Sequence, residues 1–146
     1  MSALYKKKLE LRWSDLDPNF HLRHSVYYDF GAQQRIELLA NLGITTAVLQ
    51  REHFGPVIFR EECVFKREIR LTDTVYLTAA IARMRPDGSR WTFRHEFVDE
   101  NDRVLAILNL DGAWLDTHLR KLADPTPTVV QEALQDFPKT ADFTWI

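Results

Sequence analysis

The sequence predicts an α+β fold in which an antiparallel sheet wraps around one long central helix. Three observations lead there. The element order is one strand, one long helix and then four strands, which segregates helix from sheet. The helix carries apolar residues on more than one stripe, so it expects to be largely enclosed. The last strands are separated by tight turn signals, Pro86-Asp87-Gly88-Ser89 and Asp99-Glu100-Asn101-Asp102, which favour antiparallel pairing.

Each element has a local reason. Leu4 to Trp13 reads as a strand, because Leu9, Leu11 and Trp13 alternate with Lys8, Glu10 and Arg12. Ser14 to Asn19 breaks it with turn formers. His24 to Tyr28 reads as a helical turn, and the long helix runs from Asp29 to a stop at Gly43. Gln34, Glu37 and Asn41 share one polar line on it, at spacings of three and four. Thr45 to Glu52 adds a short helix. After Gly55-Pro56 the pattern becomes β: Val57 to Leu71, Val75 to Met84, Arg90 to Val98 and Val104 to Leu115. The third of these alternates Trp91, Phe93, His95 and Phe97 with Arg90, Thr92, Arg94 and Glu96. Asp124-Pro125-Thr126-Pro127-Thr128 then ends the sheet. Val129 to Phe137 is a short helix with Thr128 as N-cap. Phe143 and Trp145 in the tail read as docking residues.

A chain of 146 residues points to one domain, 1–146, with a core at about 4–117 and a C-terminal extension at 118–146. That length buries a core without disulfides or metal. The formal net charge of -2 with mixed signs argues against a nucleic-acid partner. One cysteine, Cys63, allows no intrachain disulfide and no cysteine-built zinc site. Cys63 reads as a small buried apolar residue, and no cofactor or metal is expected. No signal-peptide or membrane-spanning run is present, so the expectation is a cytoplasmic protein with no membrane partner. Five strands and one long helix leave edges and a face to cover, which points to a homodimer or homotetramer.

The chemistry concentrates in Arg12-Trp13-Ser14-Asp15-Leu16-Asp17-Pro18-Asn19-Phe20-His21-Leu22-Arg23-His24-Ser25-Val26-Tyr27. Two carboxylates, an amide and two imidazoles fall within ten residues there. Pro18 fixes its own φ and pushes Asp17 to extended geometry, so Asp17 sits at a defined bend. The bland alternative is that Asp17, Pro18 and Asn19 only form a turn while His21 and His24 cap or pack. Asp15 reads as an Asx-turn or structural acid. His95, between Phe93 and Phe97, reads as a satisfied core or interface histidine, and His53 and His118 as exposed.

This strand–bend–helix segment, followed by the strand meander, resembles the hotdog fold. More narrowly it resembles acyl-CoA thioesterases of the 4-hydroxybenzoyl-CoA thioesterase-like group. It is also similar to acyl-carrier-protein thioesterases through Asp-x-Asn-x-His, here Asp17, Asn19 and His21. The resemblance covers roughly Leu9 to Leu115. It implies that Asp17 is the catalytic carboxylate and that the backbone N–H of His24 polarises the thioester carbonyl. It implies site roles for Asn19 and His21. It also implies a further glutamate on the strand after the helix, either Glu68 or Glu62. The chain departs from the pattern at Phe20, where a small residue is common, and at Arg23-His24, where Asn-Asn is common. These departures bear on substrate choice.

A thioester hydrolase needs a nucleophile or base, an oxyanion site and a dry acyl pocket. Asp17 can attack directly or activate water. The helix start near Ser25 offers free N–H groups and a positive dipole end. The acyl chain is expected to pass Tyr27 and Tyr28 beside the helix, against a partner subunit. Gln34 and Glu37 lie on a helix face that lines this pocket or bonds the enclosing sheet. Lys66, Arg67, Arg70, Arg83, Arg85 and Arg90 form a candidate rim for the phosphates of CoA. The substrate expected is an acyl-CoA or acyl-carrier-protein thioester. The rival readings are a hotdog hydratase or dehydratase, and a non-catalytic acyl-binding protein with Phe20 filling the site.

Overall fold

The computed structural model describes residues 5–146. Strand β1 (Tyr5–Lys8) is followed by the long helix α1 (Val26–Asn41) and the short helix α2 (Thr46–Arg51). Four long strands follow: β2 (Phe54–Phe65), β3 (Tyr76–Met84), β4 (Arg90–Val98) and β5 (Val104–Asp116). The chain closes with β6 (Lys121–Leu122), α3 (Thr128–Ala133) and β7 (Lys139–Trp145). The sheet order is β1-β3-β4-β5-β2, with β6 on β5 and β7 on β3. All pairs are antiparallel except β3 with β7. The sheet curls around α1, so the hotdog fold and the α+β class are as expected.

Several boundaries move, each for a physical reason. β1 is shorter than its alternating pattern, because its only partner, β3, begins at Tyr76. One further amide, Leu9 N, donates to Val75 O at 2.9 Å. Beyond it Trp13 is 69% exposed in a single 3-10 turn. Leu4 lies outside the described residues. Helix α1 starts at Val26 and not at Asp29, joining the expected helical turn to the helix. Its polar line splits: Gln34 is buried, Glu37 is half-buried and Asn41 is exposed. Thr45 caps α2 by accepting from Val48 N at 3.2 Å. Pro127, not Thr128, is the N-cap of α3.

The larger corrections concern the sheet. β2 runs through Gly55-Pro56 and stops at Phe65. Proline is tolerated because β2 is an edge strand, paired only with β5. A bulge at Phe59 shifts its parity. β2 and β3 do not form a hairpin, since β4 and β5 lie between them in the sheet. Residues 66–75 therefore cross from one side of the sheet to the other. The sheet does not end at Asp124–Thr128 either. β7 returns to pair in parallel with β3, where Thr144 stands beside Arg83 and Trp145 beside Met84.

Helix α1 packs chiefly on β3 and β5. Gly31 makes the approach possible, because a Cβ there would collide with the Leu108 side chain. A polar tie fixes the register. Gln34 Nε2 donates to Leu77 O at 2.6 Å, and Gln34 Oε1 lies 2.9 Å from His95 Nδ1. Thr78 O is 3.2 Å from the same ring nitrogen, so the proton sits on Nδ1. Nε2 then accepts from Arg35 Nη1 at 3.0 Å. His95 is fully buried, as the sequence suggested for a core histidine. Beside it an aromatic cluster of Phe54, Trp91, Phe93 and Trp114 fills the far end of the core.

Burial, reinforced by the Arg35 charge, holds the His95 pKa down to about 3 from 6.5. The unfolded chain therefore takes up a proton that the folded chain refuses. Stability is full above about pH 6.5 and falls as pH drops towards 3, by up to about 1.4 kcal/mol per pH unit from this one group. Urea titrations between pH 7 and 5, above the carboxylate range, should show this slope. A His95→Gln variant should be less stable at pH 7 and should lack it.

Candidate active site

The candidate loop is built from backbone closure. Arg12 to Asp15 forms a 3-10 turn in which Asp15 N donates to Arg12 O at 2.9 Å. The buried Asp15 carboxylate accepts from Arg12 N at 3.1 Å, Nε at 3.1 Å and Nη2 at 2.7 Å. These bonds hold its pKa below the ordinary carboxylate value. Asp15 O accepts from Arg23 N at 2.7 Å, and Arg23 Nη1 donates to Ser14 O at 2.8 Å. The two ends of the loop are thereby tied together. Leu16 bridges Leu22 inside this tie, and Leu22 N donates to Ile69 O at 2.7 Å. Asp15 is thus a structural acid.

At the tip, Asp17 N donates to His21 O at 2.8 Å. Asp17 Oδ1 accepts from Asn19 N at 2.8 Å and His21 N at 3.2 Å, an Asx turn. Among the described residues nothing bonds Oδ2. Phe20 takes the left-handed conformation, φ 64°, uncommon for a bulky residue. Its side chain is exposed and its ring lies 6.1 Å from that of Trp13. Phe20 does not line the cavity, so it does not fill it.

A cavity of about 280 Å³ opens beside this loop. Its lining includes Asp17, His21, His24, Tyr27 and Glu68 of the expected site residues, together with Leu22, Phe65, Lys66 and Arg67. Asn19 is exposed and outside the lining; Tyr28 is half-buried against the core and also outside it. Asn19 contributes its backbone N–H to Asp17. His24 precedes α1 by one turn position and Tyr27 lies in its first turn. Ser25 makes no side-chain cap, so the helix start presents first-turn amides near the cavity. Tyr27 is buried edge-on against Phe65 and Phe97, at 4.8 and 4.9 Å between centroids. Burial raises its pKa to about 12, so it stays a neutral phenol.

The crossing segment supplies the other wall. His21 Nε2 lies 2.9 Å from Glu68 Oε2, and Arg70 Nη2 donates to Glu68 Oε1 at 2.8 Å. His21, Glu68 and Arg70 are therefore one chain, and a backbone bridge between His21 and Arg70 sets its register. Arg70 reaches the site through Glu68 and does not line the cavity. Glu62 lies on β2 outside the lining, paired with Arg60 at 2.7 Å. The six basic residues do not form one rim. Lys66 and Arg67 border the cavity, whereas Arg83, Arg85 and Arg90 sit at the opposite end of the sheet, about 20 Å away along the strands. Arg90 stacks over the Phe59 ring at 4.7 Å. Phe65 and Leu22 escaped the sequence reading as cavity residues. The strand parity of Cys63 and Phe65 was the available signal for Phe65. Cys63 is half-buried, and burial pushes its thiol up to about 11.

Replacing Asp15 with Ala removes the bonds that close the loop. The expected result is a thermal midpoint lower by about 4 °C or more, read by calorimetry.

Comparison with known proteins follows the same line. The structure superposes on a hypothetical protein from Staphylococcus aureus solved in complex with CoA, with a TM-score of 0.86 and 14% identity, over 100% of this chain and 91% of that one. It superposes on a DHNA-CoA thioesterase from Staphylococcus aureus with a TM-score of 0.79 and 14% identity, over 90% and 89%. A 1,4-dihydroxy-2-naphthoyl-CoA thioesterase from Synechocystis gives a TM-score of 0.78 and 15% identity, over 92% and 97%. No curated protein sequence matches the chain. The family model of the thioesterase-like superfamily matches residues 11–134, which span the loop, α1 and the four long strands, and on that match the chain belongs to the thioesterase-like superfamily.

Proposed function

We propose that the protein hydrolyses an acyl-CoA thioester to the free acid and CoA. The observation that carries this is the Asp17 carboxylate in the cavity, held on Oδ1 by two amides with Oδ2 unbonded among the described residues. Oδ2 attacks the thioester carbonyl carbon, or takes a proton from an attacking water. Direct attack gives a mixed anhydride and releases the CoA thiolate; water then cleaves the anhydride. The oxyanion forms at the start of α1, where the His24 N–H and the helix dipole stabilise it. His21, tied to Glu68, supplies a proton to the departing thiolate, and Glu68 steadies the imidazolium. Asn19 acts through its backbone, holding Asp17. Lys66 and Arg67 at the mouth meet the phosphates, which favours CoA. A carrier-protein thioester presents the same pantetheine arm and is the second substrate to test. Among the described residues no helix is long and apolar enough to cross a membrane.

The assembly proposed is a homodimer or homotetramer. Twelve-residue β2 has one unpaired edge and exposes Ile58, Phe59, Val64 and Phe65. Such an edge is a template for pairing with a second copy. Light scattering at micromolar concentration should give a dimer or tetramer mass, and a monomer would remove this part of the proposal.

Release of free thiol from short, long and aromatic acyl-CoAs tests the activity. Asp17→Asn should lower kcat by about 10³-fold or more. Glu68→Gln should lower it by about 10-fold or more and alter the pH profile, with KM little changed. Retained activity in Asp17→Asn would overturn the mechanism.

A further inference from the structure

The Asp17 cavity holds a second side chain whose bonding the protein leaves unmet. Tyr27 is 3% exposed, and its ring is packed edge-on by Phe65 and Phe97. Among the described residues its hydroxyl bonds nothing. The side-chain polar atoms sealed in protein without a partner, among those residues, are Trp91 Nε1, Thr126 Oγ1 and Thr140 Oγ1. Tyr27 Oη is not one of them, so it opens on the cavity that the residue lines. A phenylalanine would pack on Phe65 and Phe97 as well. An unpaired hydroxyl in so buried a residue costs stability, which points to an occupant of the cavity as its partner.

The helix sets the direction of the phenol. Ser25 already has helical backbone angles, φ -75° and ψ -25°, and Val26 N donates to Arg23 O at 3.0 Å. The helical path therefore begins ahead of α1, and His24 and Tyr27 lie three residues apart on one face of it. Helical side chains lean towards the N-terminus and cover the preceding turn. The Tyr27 phenol thus leans towards the His24 N–H, which has no acceptor among the described residues. Asp17 and His24 line the same cavity. Burial is the larger cause that keeps the phenol neutral, and the nearby Asp17 carboxylate also opposes its ionisation. Three unmet groups therefore share one space: Asp17 Oδ2 as acceptor, and the His24 N–H and Tyr27 O–H as donors.

A tetrahedral intermediate presents the matching set. When Asp17, or the water it activates, bonds to the thioester carbon, the carbonyl π pair moves onto oxygen. On collapse that pair re-forms the carbonyl, the C–S bond breaks and the thiolate leaves. Between those events the oxygen carries a full negative charge, which donors aimed at it stabilise. We propose that the Tyr27 hydroxyl is the second oxyanion donor, beside the His24 N–H. It keeps its proton throughout and supplies a hydrogen bond only. A phenol clamped by two rings meets the developing charge without reorganising, and in a largely apolar wall each such bond is worth more than in water. The assignment rests on the thioesterase reading and adds a catalytic residue to it.

Tyr27→Phe removes the hydroxyl and keeps the ring. Its kcat for thiol release from acyl-CoA should fall about 10²-fold, with KM changed by less than about threefold. The matching acyl-CoA thioether, with CH2 in place of the carbonyl, offers no oxygen to these donors. Its affinity in calorimetry should be the same for variant and parent, and the thermal midpoint of the variant should be no lower. A kcat within about threefold of the parent would overturn the assignment. So would a loss of thioether affinity as large as the loss in kcat, which marks a packing role. An active parent with an unaffected Tyr27→Phe removes the donor and leaves the thioesterase reading. A parent that releases thiol from no acyl-CoA removes both.

Discussion

The position of α1 is the constraint on which the rest of the structure depends. Apolar contacts alone allow a buried helix to slide or rotate at small cost. Gln34 removes that freedom, because its directional bonds to Leu77 O and to His95 Nδ1, on a ring itself held by Thr78 O, permit one translation and one rotation. Burying these groups is tolerable because each has its partner. Gly31 brings the helix close enough for the bonds to form. Once α1 is fixed, its start falls beside Asp17, Tyr27 packs on Phe65 and Phe97, and Arg35 faces Glu61 of β2.

The second determinant is topological. β2 pairs at the far edge with β5, so the chain must cross to reach β3. The crossing segment passes the loop at 16–22 and bonds it through Leu22 and His21. Glu68 meets His21 for that reason. A simple β2–β3 hairpin would keep this glutamate at a turn beside its own strands. The same crossing places Lys66 and Arg67 at the mouth of the cavity and leaves Arg83, Arg85 and Arg90 far from it.

The parts of the fold set by local pattern were legible. Strand β4 matches its alternation residue for residue, and the turns at Pro86–Ser89 and Asp99–Asp102 fall where Gly, Pro and Asp place them. Elements set by distant partners were not. β1 stops where β3 runs out, although Leu11 and Trp13 continue the alternation. β7 has no strong signal of its own and exists because β3 offers a free edge. The same division holds at the site. The dense polar stretch located the loop, and short-range Asx chemistry explains how Asp17 is held. That Glu68 and not Glu62 lines the cavity depends on the crossover, which no local spacing encodes. Gln34 read as a sheet-bonding residue, yet its pairing with His95, sixty-one positions on, follows only from packing.

The two margins of the sheet are unequal. Along one side of β3 lie two short strands, β1 antiparallel and β7 parallel to it. Their hydrogen-bonding patterns disagree with each other, and β1 carries Lys6, Lys7 and Lys8. A strand arriving there meets a mismatched and positively charged border. The other side is the long β2, which exposes Ile58, Phe59, Val64 and Phe65 around a single Arg60–Glu62 pair. On the proposed pairing, two chains joined through β2 would cover each other's long edge, leave outward only the β1/β7 border, and so close as a pair instead of continuing as a fibre.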